Sequence, residues 1–177
     1  MSRASVAAAV LVWALPVVSA CASSPGKDDR LIASGPDAVS SFAAPVGPVE
    51  AVFERRCGSL DCHGQIGRAM RIYGAGGFRL PNDAGLSPSS GATTGQEITA
   101  NYKSIVGLEP EQMDKVIREK GDPYSLLILK KPLNIELHKG GPALVRGDEA
   151  ETCISSWISG KTSPAVTQKC ITAAAPR

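Results

Sequence analysis

Cys57-Gly58-Ser59-Leu60-Asp61-Cys62-His63-Gly64 is the stretch that most constrains this chain, because two cysteines with a histidine directly after the second admit few chemical readings. The first reading is attachment of a c-type haem, in which both thiols form thioethers and the adjacent imidazole is held under the iron as its proximal ligand. That chemistry needs Cys62 and His63 to be neighbours, and they are. The cysteines are separated by four residues, where the usual signature has two. A longer spacer is compatible with attachment if the loop bulges outward while both sulfurs reach the same porphyrin edge, and Gly58, Ser59 and Asp61 suit such a loop. Two other readings stay open. A Cys57 to Cys62 disulfide would form in an oxidising compartment. A tetrahedral zinc site could draw on Cys57, Cys62, His63 and His138, although free thiolates are hard to keep outside the cytosol.

The beginning of the chain points out of the cytosol. Arg3 precedes the apolar run from Val6 to Val18, which has the charge and length of a secretory signal and is too short for a stable membrane span. Its end, Val18-Ser19-Ala20-Cys21, resembles the lipobox of bacterial lipoproteins, which implies acylation of Cys21 as the first mature residue. By resemblance to the lipoprotein sorting rule, Ala at position 22 favours the outer membrane, facing periplasm or surface. The plain alternative is a small-residue cleavage site with Cys21 incidental. Residues 1–20 are therefore read as a lipoprotein signal and 21–47 as a flexible tether, whose Ser, Pro, Gly, Ala and Asp cannot bury enough surface to order it. With Cys21, Cys57 and Cys62 assigned, Cys153 and Cys170 remain, and an even remainder in an exported chain reads as a disulfide.

The formal charge of +2 comes without a long run of either sign in the mature part, so nothing points to nucleic acid. With 18 glycines, 13 prolines and only 5% aromatic residues, the mature chain has few bulky groups for a core, and a haem would supply a large apolar surface. Along 48–162 the signals are helical. Pro48 opens a helix with Val49, Val52 and Phe53 on one face, which delivers Cys57. Segment 64–73 and the Gly-rich turn 74–77 would wrap a haem edge, and 81–95 reads as a surface loop. Thr94 and Glu97 form a capping box ahead of a stripe of Ile98, Tyr102, Ile105 and Val106. A third helix follows Pro110, carrying Met113, Val116 and Ile117 inward. Residues 125–129 fit either a helical turn or an extended piece. His138 lies in a loop with Gly140 and Gly141. A last helix near Gly147 carries Cys153, Ile154, Trp157 and Ile158 on one face, and 163–177 reads as a polar tail.

The order of these features resembles the small c-type cytochromes over about residues 48–162. They have an N-terminal helix ending at the haem motif, here Cys57, Cys62 and His63, and an aromatic-bearing C-terminal helix, here around Trp157. It is similar to the cytochrome-c-like domains of bacterial surface proteins, through Cys62-His63-Gly64, Ser125-Leu126-Leu127 and His138-Lys139-Gly140-Gly141. The resemblance implies a mainly α, cytochrome-c-like helical domain with long loops, covalent haem c on Cys57 and Cys62, and proximal iron ligation by His63. His138 is the expected distal ligand and Met113 the alternative, while Met70 is expected in the core or against the haem edge. The implied function is electron transfer or redox sensing by a membrane-anchored protein with a redox partner protein and no substrate chemistry of its own. An open iron position would allow peroxidase-like chemistry, for which no distal acid/base group is visible. The competing class is a disulfide-stabilised, non-haem surface lipoprotein with a binding or structural role.

Overall fold

The computed structural model describes residues 48–80, 91–161 and 163–175. The signal segment, Cys21 and the tether to residue 47 lie outside the described residues, as does most of the loop read over 81–95. Among the described residues the chain is mainly α, with six α-helices and no strand: α1 (Val49–Cys57), α2 (Gly95–Val106), α3 (Pro110–Arg118), α4 (Leu127–Lys130), α5 (Glu149–Ile158) and α6 (Pro164–Ala174), plus a 3-10 turn at Pro123–Ser125. None of these helices is long and apolar enough to cross a membrane.

Local chemistry accounts for where each helix starts. Thr94 accepts from the Glu97 amide while the Glu97 side chain returns to the Thr94 amide, so the capping box forms as expected. Asp148 caps α5 by accepting from the Glu151 amide. Pro110 occupies the first turn of α3, where its missing N–H has no helical partner to lose. Residues 125–129 resolve into the end of the 3-10 turn and the start of α4.

Trp157 ties three helices together. Its ring meets Phe53 of α1 edge-on at 6.2 Å and Tyr102 of α2 edge-on at 6.3 Å, both near-perpendicular arrangements of the kind aromatic quadrupoles favour. Phe53, Ile105, Leu129 and Ile154 are fully enclosed around this cluster. The helix before Cys57 thus packs against the helix bearing Trp157.

The reading of 163–177 as a polar tail is corrected: most of it is helix α6, which packs on α5 and α1. The helix-start signal was there, since Ser163 accepts from the Val166 amide and Pro164 sits in the first turn. It went unread because Val166, Cys170 and Ala173 form too sparse an apolar stripe, and packing replaces periodicity. The Cys153–Cys170 disulfide joins α5 to α6 with 4.9 Å between Cα atoms. A cross-link closing a loop of this length stabilises by about 3 kcal/mol in the chain-entropy account.

One interior interaction had no sequence signal. Glu97, wholly enclosed, receives the Arg79 guanidinium through Nε at 2.8 Å and Nη2 at 2.7 Å, and also accepts from the Leu80 and Thr94 amides. Burial alone would push the Glu97 carboxyl up, but the amide bonds and Arg79 outweigh it and hold it below the ordinary carboxylate value. A carboxylate lowered in this way contributes stability above its unfolded pKa and loses it as pH falls through the folded value. Glu97→Gln, which removes the carboxylate charge opposite the buried Arg79, should cost about 3–5 kcal/mol in denaturant unfolding at pH 7, and this difference from wild type should shrink as the pH falls through the lowered Glu97 pKa.

Candidate functional site

The backbone after α1 folds into a closed loop. The His63 amide donates to Cys57 O at 2.8 Å, while the Cys62 and Gly64 amides both donate to Ser59 O at 3.0 and 2.9 Å. The extra residues of the spacer are taken up in this turn, with Ser59 and Leu60 facing solvent. Cys57 and Cys62 both line the same cavity. The turn is closed by glycine contacts: a Cβ on Gly64 would lie 2.0 Å from Gly58 O, and one on Gly77 would lie 2.5 Å from the same atom. Bonds from the Ile72 amide to His63 O and from the Phe78 amide to Gly64 O bind the loop to the segment that follows it.

The cavity has a volume of about 470 Å³. It is lined by the Cys57, Cys62 and His63 loop with Met70, by Leu127 and Ile128 of α4, and by His138, with Asp61, Arg68, Lys131 and Lys139 as its charged members. Its size falls within the roughly 300–1,000 Å³ typical of cofactor pockets, and its lining has the apolar character such pockets show.

The two histidines of the chain face each other there, their ring centroids 6.1 Å apart and their planes within 10° of parallel. His63 Nδ1 lies 2.8 Å from Met70 O and His138 Nδ1 lies 2.7 Å from Gly141 O. A carbonyl only accepts, so each Nδ1 carries a proton and donates, and in the neutral ring this makes Nε2 the lone-pair atom. Burial lowers the His63 pKa, the nearby His138 and Arg68 add to this, and the bond to Met70 opposes it, so the imidazole is neutral at pH 7. A neutral imidazole whose second nitrogen is tied to a backbone carbonyl is the state in which histidine binds a metal.

The remaining expected residues fall as follows. Met113 is in the core on α3 and is not among the residues lining the cavity, whereas Met70 lines it and is 4% exposed. Cys57 and Cys62 are free thiols, in contrast to the bonded Cys153 and Cys170. Burial pushes the Cys57 thiol up to about 12, and the nearby Cys62 adds to this against the pull of Arg56, so a thiolate there is costly at neutral pH. Among the described residues no three His, Cys, Asp or Glu side chains converge as a zinc ion would require. The Met70 and Gly141 carbonyls are parts of the site that sequence reading missed, since a backbone acceptor leaves no trace in side-chain identity.

No family model matches the chain, and no curated protein or solved structure matches it. The site must be read from its own residues.

Nitrogen NMR of the metal-free protein tests the tautomers: both imidazoles should show protonated Nδ1 and bare Nε2 at pH 7.5, and His63 should titrate below the ordinary histidine value of about 6.5. Nε2-protonated rings would contradict the assignment.

Proposed function

We propose that this chain is a c-type haem protein with a cytochrome-c-like domain, held at the cell envelope by a lipid on Cys21 and serving electron transfer or redox sensing. The observation that carries the reading is the facing pair of Nδ1-protonated imidazoles across an apolar cavity bordered by Cys57 and Cys62. With ring centroids 6.1 Å apart, His63 and His138 are the residues that would hold the iron.

The residues fit haem c in three further respects. Cys57 and Cys62 supply thiols in the cavity that His63 also lines, as thioether attachment beside a proximal ligand requires. Ile128, Leu127 and Met70 supply apolar contact for a flat ring. Arg68, Lys131 and Lys139 supply positive charge at the cavity for a ligand that carries carboxylates. When bound, haem would supply a one-electron iron couple. The chain's part would be to present the Nε2 atoms of His63 and His138, to keep the His63 ring neutral, and to line the group with apolar side chains. His/His ligation lowers the reduction potential relative to His/Met, because the thioether of methionine raises it.

Purified full-length protein should show a covalent haem c spectrum that persists after acid–acetone extraction. His63→Ala should abolish the low-spin spectrum, His138→Ala should convert it to one with an open iron position, and Met113→Ala should leave it unchanged. Intact mass showing no haem would instead favour the non-haem, disulfide-stabilised lipoprotein, and a spectrum lost in Met113→Ala would make methionine the ligand.

The anchor has its own test. Wild-type protein should partition into detergent with the envelope, because lipoprotein acylation gives more than one chain and stable binding needs at least two attachments. Cys21→Ser should leave that phase. Recovery of wild type as a soluble periplasmic protein would refute acylation.

A further inference from the structure

The two imidazoles are held in unequal ways. His63 sits in a loop clasped on both sides, by Cys57 O before it, by the Ile72 amide after it and by Met70 O on its ring. His138 sits at the tip of segment 134–142, whose neck is closed by the Ala143 and Leu144 amides donating to Pro132 O at 2.9 and 3.1 Å. The base of the segment is tied to the end of α4 through backbone, the Asn134 amide donating to Lys131 O at 2.9 Å and the Ile135 and Glu136 amides to Lys130 O at 2.9 and 3.3 Å. Past Glu136 the backbone bonds are internal, the Gly141 amide to His138 O at 2.9 Å and His138 Nδ1 to Gly141 O at 2.7 Å, and the Lys131 side chain ties this tip back by donating to Leu137 O at 3.0 Å while it pairs with Glu136 at 2.6 Å. Ile135 is 55% exposed and Leu137 83% exposed, so the tip has little packing to lose by moving. Left-handed backbone at Gly141 (φ 73°) lies at the far end of this tip, where a few dihedrals can absorb a swing.

On the haem reading above, we propose that the tip 137–142 is a flap that opens as a unit and lets a small exogenous iron ligand, of the cyanide, imidazole or carbon monoxide class, take the position of His138. The flap can leave with its internal bond from His138 Nδ1 to Gly141 O intact, because both partners belong to it. The exchange breaks the bond from His138 Nε2 to iron and forms one from the incoming lone pair, with no change of oxidation state. His63 stays in place, since its bonds belong to the loop after α1. The site would thus bind small ligands as well as pass electrons, with affinity set by the fraction of time the flap is open.

The test is a cyanide titration of oxidised full-length holoprotein, read by the shift of its main absorption band. His138→Ala reports the intrinsic affinity. Wild type should bind about 10- to 1,000-fold more weakly, as an open fraction of about 0.1–10% requires. Lys131→Met, which removes the outer tie, should tighten binding roughly threefold, the scale an exposed ion pair supports. If Lys131→Met fails to load haem, Glu136→Gln serves in its place and should shift in the same direction. The binding rate of wild type should level off at high cyanide at the same limit reached with imidazole, because opening precedes both. Wild-type affinity equal to that of His138→Ala, or a rate rising linearly with cyanide without limit, overturns the flap while leaving the haem reading intact. A haem-bearing wild type that binds neither ligand overturns it as well. A protein without the haem band removes both.

Discussion

The hydrogen bond from His63 Nδ1 to the Met70 carbonyl decides what the cavity can do. Without it the ring could present either nitrogen and could rotate about its side-chain bonds; with it, Nε2 is the lone-pair atom and the ring plane is set. Everything that places Met70 opposite His63 is therefore part of the site. The Ile72 amide bonded to His63 O makes the chain fold back, Ile72 itself is wholly enclosed, and the Tyr73 amide and carbonyl are held by Asn101 of α2. The position of one imidazole thus depends on a buried asparagine of α2, through backbone and not through any side chain of the motif.

This arrangement explains how a chain poor in aromatic residues builds a firm wall around a sizeable cavity. The core concentrates its bulk in one place, where Trp157 joins Phe53 and Tyr102, and leaves the other end of α1 to the loop that begins at Cys57. Rigidity in that loop comes from polar bonding and close glycine contact, which need no large side chains. The buried Arg79 to Glu97 pair does comparable work on the far side, fixing the strand-like segment after Gly77 to the start of α2. Such a pair is weak grounds for net stability, because desolvation offsets the attraction, but it leaves the segment few alternative positions.

What could be read from sequence was what side-chain identity encodes. The apolar faces of α1, α2 and α5, the capping box at Thr94 and Glu97, and the pairing of Cys153 with Cys170 all follow from residue type and spacing. Helix α6 was missed because its stability comes from the disulfide and from contact with α5 and α1, neither of which produces a periodic stripe. Glu97 was read as a capping residue only, since nothing in the chain announces that Arg79 will share its carboxylate. At the candidate site the histidines and cysteines were visible, and the carbonyls of Met70 and Gly141 that orient the rings were not. Backbone acceptors are identical in every residue, so their use is legible only in three dimensions.

The four-residue spacer is best understood from the same hydrogen bonds. A two-residue spacer brings its cysteines onto one side of a short turn by necessity, whereas a four-residue spacer does so only if the added length is drawn away from the cavity. Ser59 O does this by accepting from both the Cys62 and Gly64 amides, which curls residues 59–62 into a turn and sends Ser59 and Leu60 to solvent. The bond from the His63 amide to Cys57 O then sets the distance across the base of the turn. Both of these depend on Gly64, since any side chain there would collide with the Gly58 carbonyl. The longer spacer therefore costs the motif its freedom at Gly64 and leaves Cys57, Cys62 and His63 lining the same cavity.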